Sequence, residues 1–362
     1  MSAFSRIIPR QVEMPLWPNG STVWNALESA PPGARLCLTV DGVSERSTTA
    51  VREVVANAAN IDDLCNKSNE SLTLYAMGVN QWHPALVQEL CSAYGEAIWD
   101  QGLTDGTSRC DIFAGKYSST PGGIHREPCW NRHLVVQGQK RFYFWDHDDV
   151  EASGAYDSVE TYPTKNGDEQ YLAKTSILDI GSSAMKILTT PGHYVQWPNW
   201  VWHVAETPSA SLAVNIASYG SSSTGTIRSL PIHRSNDGEV SAEWVAQYRE
   251  FNPELRTSDL MVLVAAVSSN GLICPRLRIS GDIQEVRSCS AVCRIMRAPS
   301  VWVRHGDGII VGLGGQATFI SANGEEGARW LGSGTFDPFL PKARGDFELV
   351  EWLYSIGSIM LK

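Results

Sequence analysis

The 362-residue sequence has no long apolar run, no long basic run and no Cys-x-x-Cys pair. Its longest unbroken apolar stretch, residues 260–267, is far shorter than the roughly 20 residues that a membrane helix needs. No basic run exceeds two residues and the net charge is -10, whereas phosphate backbones are bound by clustered Lys and Arg. We therefore expect neither a membrane nor a nucleic acid among its partners.

The eight cysteines include no Cys-x-x-Cys pair, which is the usual spacing of a structural zinc site. Reduced, buried thiols are therefore expected, as is typical of cytoplasmic proteins. No sustained apolar segment follows the charges of the first ten residues, so no secretory signal is predicted. These features together favour a cytoplasmic protein.

Length and composition suit two globular domains, with 43% hydrophobic and 19% charged residues. Residues 220–237 are rich in Ser, Thr, Gly and Pro, and they predict a boundary between a domain at 1–235 and a domain at 236–362.

Short strands separated by turn signals dominate the predicted first domain, which favours a β-sandwich or barrel. A helix is predicted at 84–98. The strands 133–137 and 140–145 flank Gly138-Gln139 and read as a hairpin, and the polar segment 146–174 reads as a long loop that could serve as a lid. The other predicted strands are 36–40, 111–116, 184–188, 194–197 and 211–217.

The second domain is predicted to be mainly helical. Its expected helices are 241–249, 258–267, 289–297 and 346–361. A hairpin is expected from strands 301–304 and 309–311 around the turn at 305–308. Helices with a terminal hairpin suggest a small winged-helix-like module.

A candidate metal site is formed by His125, Glu127 and His203. Residues two apart in a strand point to the same side, so His125 and Glu127 could bind one ion together. Two imidazoles and one carboxylate are the ligand set of mononuclear non-haem Fe(II), and they leave positions open for a co-substrate and oxygen. A His-x-Glu pair alone is a weak signal, so the interpretation depends on the sequence around it.

The surrounding sequence resembles the JmjC-type Fe(II)/2-oxoglutarate oxygenases of the cupin superfamily. The resemblance extends over about residues 74–219. It is carried by the segment Tyr-Ser-Ser-Thr-Pro-Gly-Gly-Ile-His-Arg-Glu at 117–127, by Asn131, by Val-Val-Gln-Gly-Gln-Lys-Arg-Phe at 135–142, and by Pro-Gly-His-Tyr-Val-Gln-Trp-Pro-Asn-Trp-Val-Trp-His-Val at 191–204.

This resemblance implies a mainly β fold with helices: a double-stranded β-helix (cupin or jelly-roll) core, followed by the smaller winged-helix-like domain. It implies that His125, Glu127 and His203 bind iron and that Lys140 binds the far carboxylate of 2-oxoglutarate. Asn131 and Asn215 match asparagines that form hydrogen bonds near the co-substrate.

Three positions depart from the family pattern. The acidic ligand is Glu127, where many members have Asp, and His193 replaces the usual Asp after Pro-Gly. Gly122 stands where a hydroxyl residue often contacts the co-substrate. Thr120, Ser119 or Tyr117 could supply that contact instead.

We therefore predict an Fe(II)- and 2-oxoglutarate-dependent oxygenase that hydroxylates a C–H of an amino-acid-type substrate, whether free, in a peptide or protein, or in a natural-product precursor. Two alternatives remain: a non-catalytic cupin sensor, and a cupin metalloenzyme that needs no co-substrate. Lys140 argues against the latter, which has no co-substrate carboxylate to bind. A homodimer is expected by family analogy alone.

Overall fold

The computed structural model describes residues 9–13, 17–67, 71–99, 108–164, 167–172, 175–180, 183–219, 235–243, 245–246, 254–274, 283–296 and 298–362. The chain divides into two compact units, one of residues 1–82 and 108–226, the other of residues 83–107 and 227–362. The predicted helix at 84–98 is present as Pro84–Trp99 and belongs to the second unit. The predicted boundary at residue 235 stays a prediction.

The described part of the first unit contains fourteen strands, five α-helices and two 3₁₀ helices, Val79–Gln81 and Ala155–Ser158. The strands are β1 Arg10–Glu13, β2 Arg35–Val40, β3 Val43–Glu45, β4 Leu72–Met77, β5 Ser108–Lys116, β6 His125–Arg126, β7 Cys129–Gln137, β8 Lys140–Trp145, β9 Val159–Thr164, β10 Gly167–Leu172, β11 Met185–Thr189, β12 His193–Trp197, β13 Trp202–Glu206 and β14 Ser211–Tyr219. The α-helices are Gly20–Glu28, Thr48–Ala56, Ile61–Lys67, His147–Ala152 and Ile177–Ile180.

The strands form two antiparallel sheets. The first has the order β1-β12-β7-β14-β5-β4-β2-β3, and the second has the order β11-β8-β13-β6-β10-β9. The chain passes repeatedly from one sheet to the other, because β7, β12 and β14 lie in the first sheet and β8, β11 and β13 in the second. This alternation is the jelly-roll arrangement, so the predicted fold class is confirmed.

Strand β8 explains how the second sheet is covered on both faces. Side chains alternate along a strand, so Phe142 and Phe144 point one way and pack with Val195 of β12. Tyr143 and Trp145 point the other way, into a second apolar cluster that includes Trp202. The inner cluster lies beside the candidate metal ligands, while the outer one anchors the sheet from behind.

The predicted hairpin around Gly138-Gln139 is wrong, although both of its strands exist. Strand β7 pairs with β12 and β14, while β8 pairs with β11 and β13, so the turn is a corner between the two sheets. Gly138 has φ 77°, and a Cβ there would lie 2.0 Å from the Ala210 carbonyl oxygen. A glycine with positive φ suits both a hairpin turn and a corner between sheets. Only the pairing of the strands with distant partners distinguishes the two.

The predicted long loop at 146–174 is also wrong. Strands β9 and β10 pair with each other, and β10 continues the second sheet beside β6. His147-Asp148-Asp149 begins the short helix His147–Ala152, and its histidine is exposed. The segment is polar, and most of its described side chains are exposed. Its strands therefore lack the apolar pattern from which strands are predicted.

The second unit contains helices and two small sheets. The described helices are Pro84–Trp99, Thr257–Ser268, Ile283–Ser288, Glu325–Gly332 and Arg344–Ser355. The strands are β15 Val292–Arg294, β16 Ser300–His305, β17 Gly308–Leu313, β18 Gln316–Ser321 and β19 Ile359–Leu361. The sheets are β16-β17-β18 and β15-β19.

The outcomes of the predictions for this unit differ. The helix at 258–267 and the hairpin at 301–311 are confirmed, and a third strand extends that hairpin. The helix at 289–297 is wrong, because Val292–Arg294 pairs as a strand with Ile359–Leu361. The same pairing ends the last helix at Ser355, earlier than predicted. The helix at 241–249 falls partly outside the described residues, and the winged-helix-like arrangement stays a prediction.

No described helix is long and apolar enough to span a bilayer. All eight cysteines are free thiols, six of them buried.

A matched pair of glycine substitutions tests the corner. Gly138→Ala should lower the free energy of unfolding by about 3 kcal/mol or more, since a left-handed φ and a backbone clash act together. Gly154 also has a positive φ, 75°, but a Cβ there would have no atom within 4 Å. Gly154→Ala should therefore lower the free energy of unfolding by only about 1 kcal/mol. Urea denaturation measures both values, and equal losses would contradict the close approach to the Ala210 carbonyl.

Candidate metal centre

The candidate ligands converge because two strands pair in one register. His125 on β6 and His203 on β13 are directly opposite each other, and their ring centroids are 4.3 Å apart. Glu127 follows β6, with Oε1 3.0 Å from His125 Nε2 and 3.9 Å from His203 Nε2. One ligand atom from each of the three residues lies within 4.8 Å of the others. The structure therefore brings together the three residues that the sequence singled out.

Backbone carbonyls orient both imidazoles. His125 Nδ1 lies 2.9 Å from the Gly123 oxygen, and His203 Nδ1 lies 2.9 Å from the Val201 oxygen. When Nδ1–H donates to a carbonyl, the Nε2 lone pair is left for a metal, an arrangement common around histidine ligands. The tautomer is therefore fixed by the turn preceding each histidine.

Trp200 connects the two ligand segments through its main chain. Its N–H donates to the Glu127 carbonyl oxygen at 2.9 Å, and its φ of 65° is in the left-handed region. A non-glycine residue there stores backbone strain of the order of 1–3 kcal/mol, which is commonly found at functional sites. The strained turn leads directly into the strand that carries His203.

The electrostatics of the cluster favour a cation. Burial works against the charge of Glu127, but its contacts with His125, His203 and Cys129 hold its pKa well below the ordinary value. Burial, together with the charge of His125, lowers the pKa of His203 to about 3. Glu127 is thus a carboxylate and His203 a neutral imidazole at neutral pH, whereas the pKa of His125 is raised, because its contact with Glu127 outweighs the effect of burial. The donor set fits Fe(II), because two imidazole nitrogens and one carboxylate oxygen leave other coordination positions open.

Cys129 contacts the acidic ligand. Its thiol donates to Glu127 Oε2 at 3.0 Å, and burial raises the pKa of Cys129 well above its ordinary value. The residue therefore acts as a neutral donor that orients the carboxylate, in line with the buried thiol expected from the sequence.

Lys140 is a buried cation at the start of β8, with 2% of its surface exposed. Its Nζ lies 3.1 Å from His133 Nε2 and 4.5 Å from the centre of the Phe113 ring. Within the part of the chain that the structure describes, no carboxylate forms an ion pair with it, and burial alone lowers its pKa to about 7. A buried ammonium without a counter-ion is costly, so this position favours an anionic ligand.

The predicted asparagines also meet between the sheets. Asn215 Nδ2 donates to Asn131 Oδ1 at 2.7 Å, and Asn131 Nδ2 donates to Cys129 Sγ at 3.4 Å. Asn215 is opposite His133 in the pairing of β14 with β7. Because His133 contacts Lys140, the Asn131–Asn215 pair lies next to the buried lysine. The amides thus lie between the carboxylate ligand and the buried lysine.

The three hydroxyl candidates differ in what they already bind. The Thr120 hydroxyl donates to the Ala205 oxygen and accepts from the Ala205 N–H, and Ser119 is exposed. Tyr117 Oη is buried and has no hydrogen-bond partner among the described residues. Its ring centre is 5.7 Å from Lys140 Nζ, so Tyr117 is the best placed of the three.

Tyr171 is a wall of the site that the sequence interpretation missed. It is opposite His125 in the pairing of β10 with β6, and the two rings stack with centroids 5.4 Å apart. A Cβ on Gly122 would lie 2.8 Å from the Tyr171 ring, so the glycine makes room for it. The repeated Glu-x-Tyr pattern at 160–162 and 169–171 was the signal that could have revealed these strands.

A buried ion pair was also missed. Arg109 Nη2 lies 2.8 Å from Asp111 Oδ2, and Tyr75 Oη donates to the same carboxylate at 2.9 Å. The Arg109 guanidinium lies 5.3 Å from the centre of the Tyr219 ring, and Tyr219 packs against Cys129. This network stiffens the wall of the first sheet behind the acidic ligand.

Comparison with known proteins finds neither a matching family model nor a matching curated protein. Solved structures do match. One is YcfD, a ribosomal oxygenase from Escherichia coli, in complex with cobalt and succinic acid, with 11% identity, a TM-score of 0.48, and coverage of 98% of this chain and 94% of that chain. The YcfD complex with cobalt and 2-oxoglutarate has 13% identity, a TM-score of 0.47, and coverage of 98% and 95%.

Removing one ligand should abolish metal binding but preserve the fold. We expect His203→Ala to weaken Mn(II) binding at least 100-fold, because two ligands then remain. His147→Ala, at the exposed His-x-Asp sequence, is the control and should bind like the wild type. Mn(II) titration followed by electron paramagnetic resonance measures affinity, and circular dichroism checks folding. Unchanged affinity in His203→Ala would rule out this ligand set.

Proposed function

We propose that the protein is an Fe(II)- and 2-oxoglutarate-dependent oxygenase that hydroxylates a C–H of an amino-acid-type substrate. The observation that carries this proposal is the convergence of His125, Glu127 and His203 within 4.8 Å of one another. Bound Fe(II) with 2-oxoglutarate would supply the oxidising chemistry.

Lys140 provides the second support. The family resemblance assigns it to the far carboxylate of 2-oxoglutarate, and its burial without a carboxylate partner among the described residues is what such a role requires. One carboxylate of a bound dicarboxylate would neutralise the charge of the Lys140 ammonium. Asn131, Asn215 and Tyr117 are close enough to this region to donate further hydrogen bonds.

The remaining residues would exclude water and aim the substrate. Trp197 packs on His203 with centroids 4.9 Å apart, and Phe144 lies on the same side at 6.3 Å. Tyr171 covers His125 from the opposite side. The ligands are thus enclosed by aromatic rings, which keep the local dielectric low and strengthen charge interactions within the site.

The decisive assay follows succinate formed from 2-oxoglutarate by the full-length protein with Fe(II), in the presence of free amino acids and peptides. Coupled succinate formation and substrate oxidation would support the proposal. Metal binding without any 2-oxoglutarate binding would favour the co-substrate-independent enzyme. Binding of neither would favour the non-catalytic sensor. The expected homodimer and cytoplasmic location stay predictions, and size-exclusion chromatography with light scattering tests the former.

The role of Lys140 can be separated from that of the metal. Lys140→Met keeps the buried volume but removes the charge, so 2-oxoglutarate binding to the Mn(II)-loaded protein should weaken about 100-fold or more. Mn(II) affinity should stay within about twofold. Lys186→Met, on the exposed side of β11, removes the same charge as a control. Isothermal titration calorimetry gives the affinities, and equal 2-oxoglutarate binding by both variants would contradict this role.

The lowered pKa of Lys140 also predicts a pH dependence. Its ammonium is charged below about pH 7 and increasingly neutral above it. A bound carboxylate favours the charged form, so binding takes up a proton when the pH exceeds this pKa. The affinity for 2-oxoglutarate should be highest below about pH 7 and fall up to about tenfold per unit above it. Calorimetry in buffers of different ionisation enthalpy measures the proton uptake, and an identical slope in Lys140→Met would assign it to another group.

A further inference from the structure

The β9–β10 hairpin carries one pattern twice, Glu160-x-Tyr162 and Glu169-x-Tyr171. Alternate residues of a strand share a face, so each glutamate lies on the same side as its tyrosine. The register pairs Glu160 with Tyr171 and Tyr162 with Glu169, which brings all four side chains to one face. Acidic and aromatic groups therefore alternate in both directions across this face.

This face is also the face of the metal ligands. Across the second sheet, Glu160 is opposite Tyr171, Tyr171 is opposite His125, and His125 is opposite His203. The reverse face of the hairpin is different, because Val159 and Leu172 pack there in the apolar cluster around Trp202. The hairpin thus extends the wall of the metal centre with two carboxylates and two phenol rings.

A cavity of about 690 Å³ lies on this face. The four side chains line it together with Pro121, Gly122, Gly123, Leu172 and Thr175. Its wall is continuous with the metal centre, since Tyr171 stacks on His125 and the Gly123 oxygen is the partner of His125 Nδ1. The volume is within the range of small-molecule sites.

The charged side chains in the described lining of the cavity are all acidic. Among its described lining residues are two glutamates and no Lys, Arg or His. Tyr171 Oη donates to Glu169 Oε2 at 2.9 Å, and Tyr162 Oη donates to Glu160 Oε2. Neutral phenol hydroxyls orient the carboxylates but leave their charge in place.

The two tyrosines form an aromatic corner. Their ring centroids are 5.5 Å apart and their planes meet at 82°. Tyr162 is 51% exposed although it is a large aromatic side chain. Ring faces attract ammonium and guanidinium groups, and neighbouring carboxylates add to that attraction. An anionic or neutral polar group would gain much less here.

We infer that this cavity binds a cationic group of the substrate, an ammonium or a guanidinium, and holds it next to the metal centre. Glu160 and Glu169 supply the counter-charge, and Tyr162 and Tyr171 supply ring faces. That the bound molecule is a substrate rests on the proposed oxygenase function, whereas cation binding itself requires only the hairpin.

The test measures binding of defined probes to the full-length protein. The probes are blocked tripeptides with a central arginine, lysine or glutamine, together with free arginine and free lysine. Calorimetry is performed with and without Mn(II) and N-oxalylglycine. We expect the arginine or lysine peptide to bind at least tenfold more tightly than the glutamine peptide, and binding to weaken as salt is added. The free amino acids distinguish a free substrate from a residue within a chain.

Four variants connect this preference to the hairpin. The double variant Glu160→Gln/Glu169→Gln should remove most of the preference for the cationic probe. Asp168→Asn removes one negative charge from the same hairpin, but its side chain belongs to the other face of β10, so it should change affinity less than twofold. Tyr162→Leu should weaken binding severalfold, while Tyr162→Phe should keep most of it. Circular dichroism confirms that each variant is folded.

The outcomes separate this inference from the proposed function. Equal affinity for the glutamine peptide, no saturable binding at millimolar concentration, or unchanged preference in the double variant would each overturn the cation site. Failure to bind Mn(II) or N-oxalylglycine would overturn the oxygenase instead. Cation selectivity that persists without metal would still support the site on the hairpin.

Discussion

The candidate site depends on the register of one very short strand. β6 has only two residues, and it is held between β13 and β10 by pairing that sets His125 opposite both His203 and Tyr171. A slip of one residue would turn His125 to the other face of the sheet and separate the ligands. The apolar cluster around Trp145 and Trp202 resists that slip, because it fixes β8 and β13 from behind. Packing on the outer face therefore determines the geometry on the inner face.

Charged side chains are buried in the interior of the first unit in two different ways. Lys140 and His133 share a contact between the sheets, and the carboxylate of Glu127 accepts from Cys129 while facing two imidazoles. Arg109 and Asp111, by contrast, neutralise each other and support the wall. A closed ion pair neutralises its own charge, whereas Lys140 has no carboxylate partner among the described residues and presents its charge to the space between the sheets.

Much of the first unit could be predicted because its signals are local. Period-two alternation located most of the strands, and the ligand triad followed from strand geometry supported by the family resemblance. The predictions that were wrong concern segments whose structure depends on pairing with residues distant in the sequence. Gly138 looked like a hairpin glycine because local sequence cannot show which sheet a strand joins. Residues 292–294 looked helical until their pairing with the chain end was known. The β9–β10 hairpin was hidden because apolar residues do not alternate regularly along its largely exposed strands.

The contact between Gly122 and Tyr171 links two positions that are far apart in the chain. The ring occupies the volume that a side chain at 122 would need, so neither residue can enlarge while the other stays as it is. Evolutionary change at these positions is consequently expected to be correlated. A hydroxyl side chain at 122 would need a smaller residue at 171, and the cavity would thereby lose one of its aromatic walls. A change at 122 would then alter the surroundings of His125 and the shape of the neighbouring cavity together.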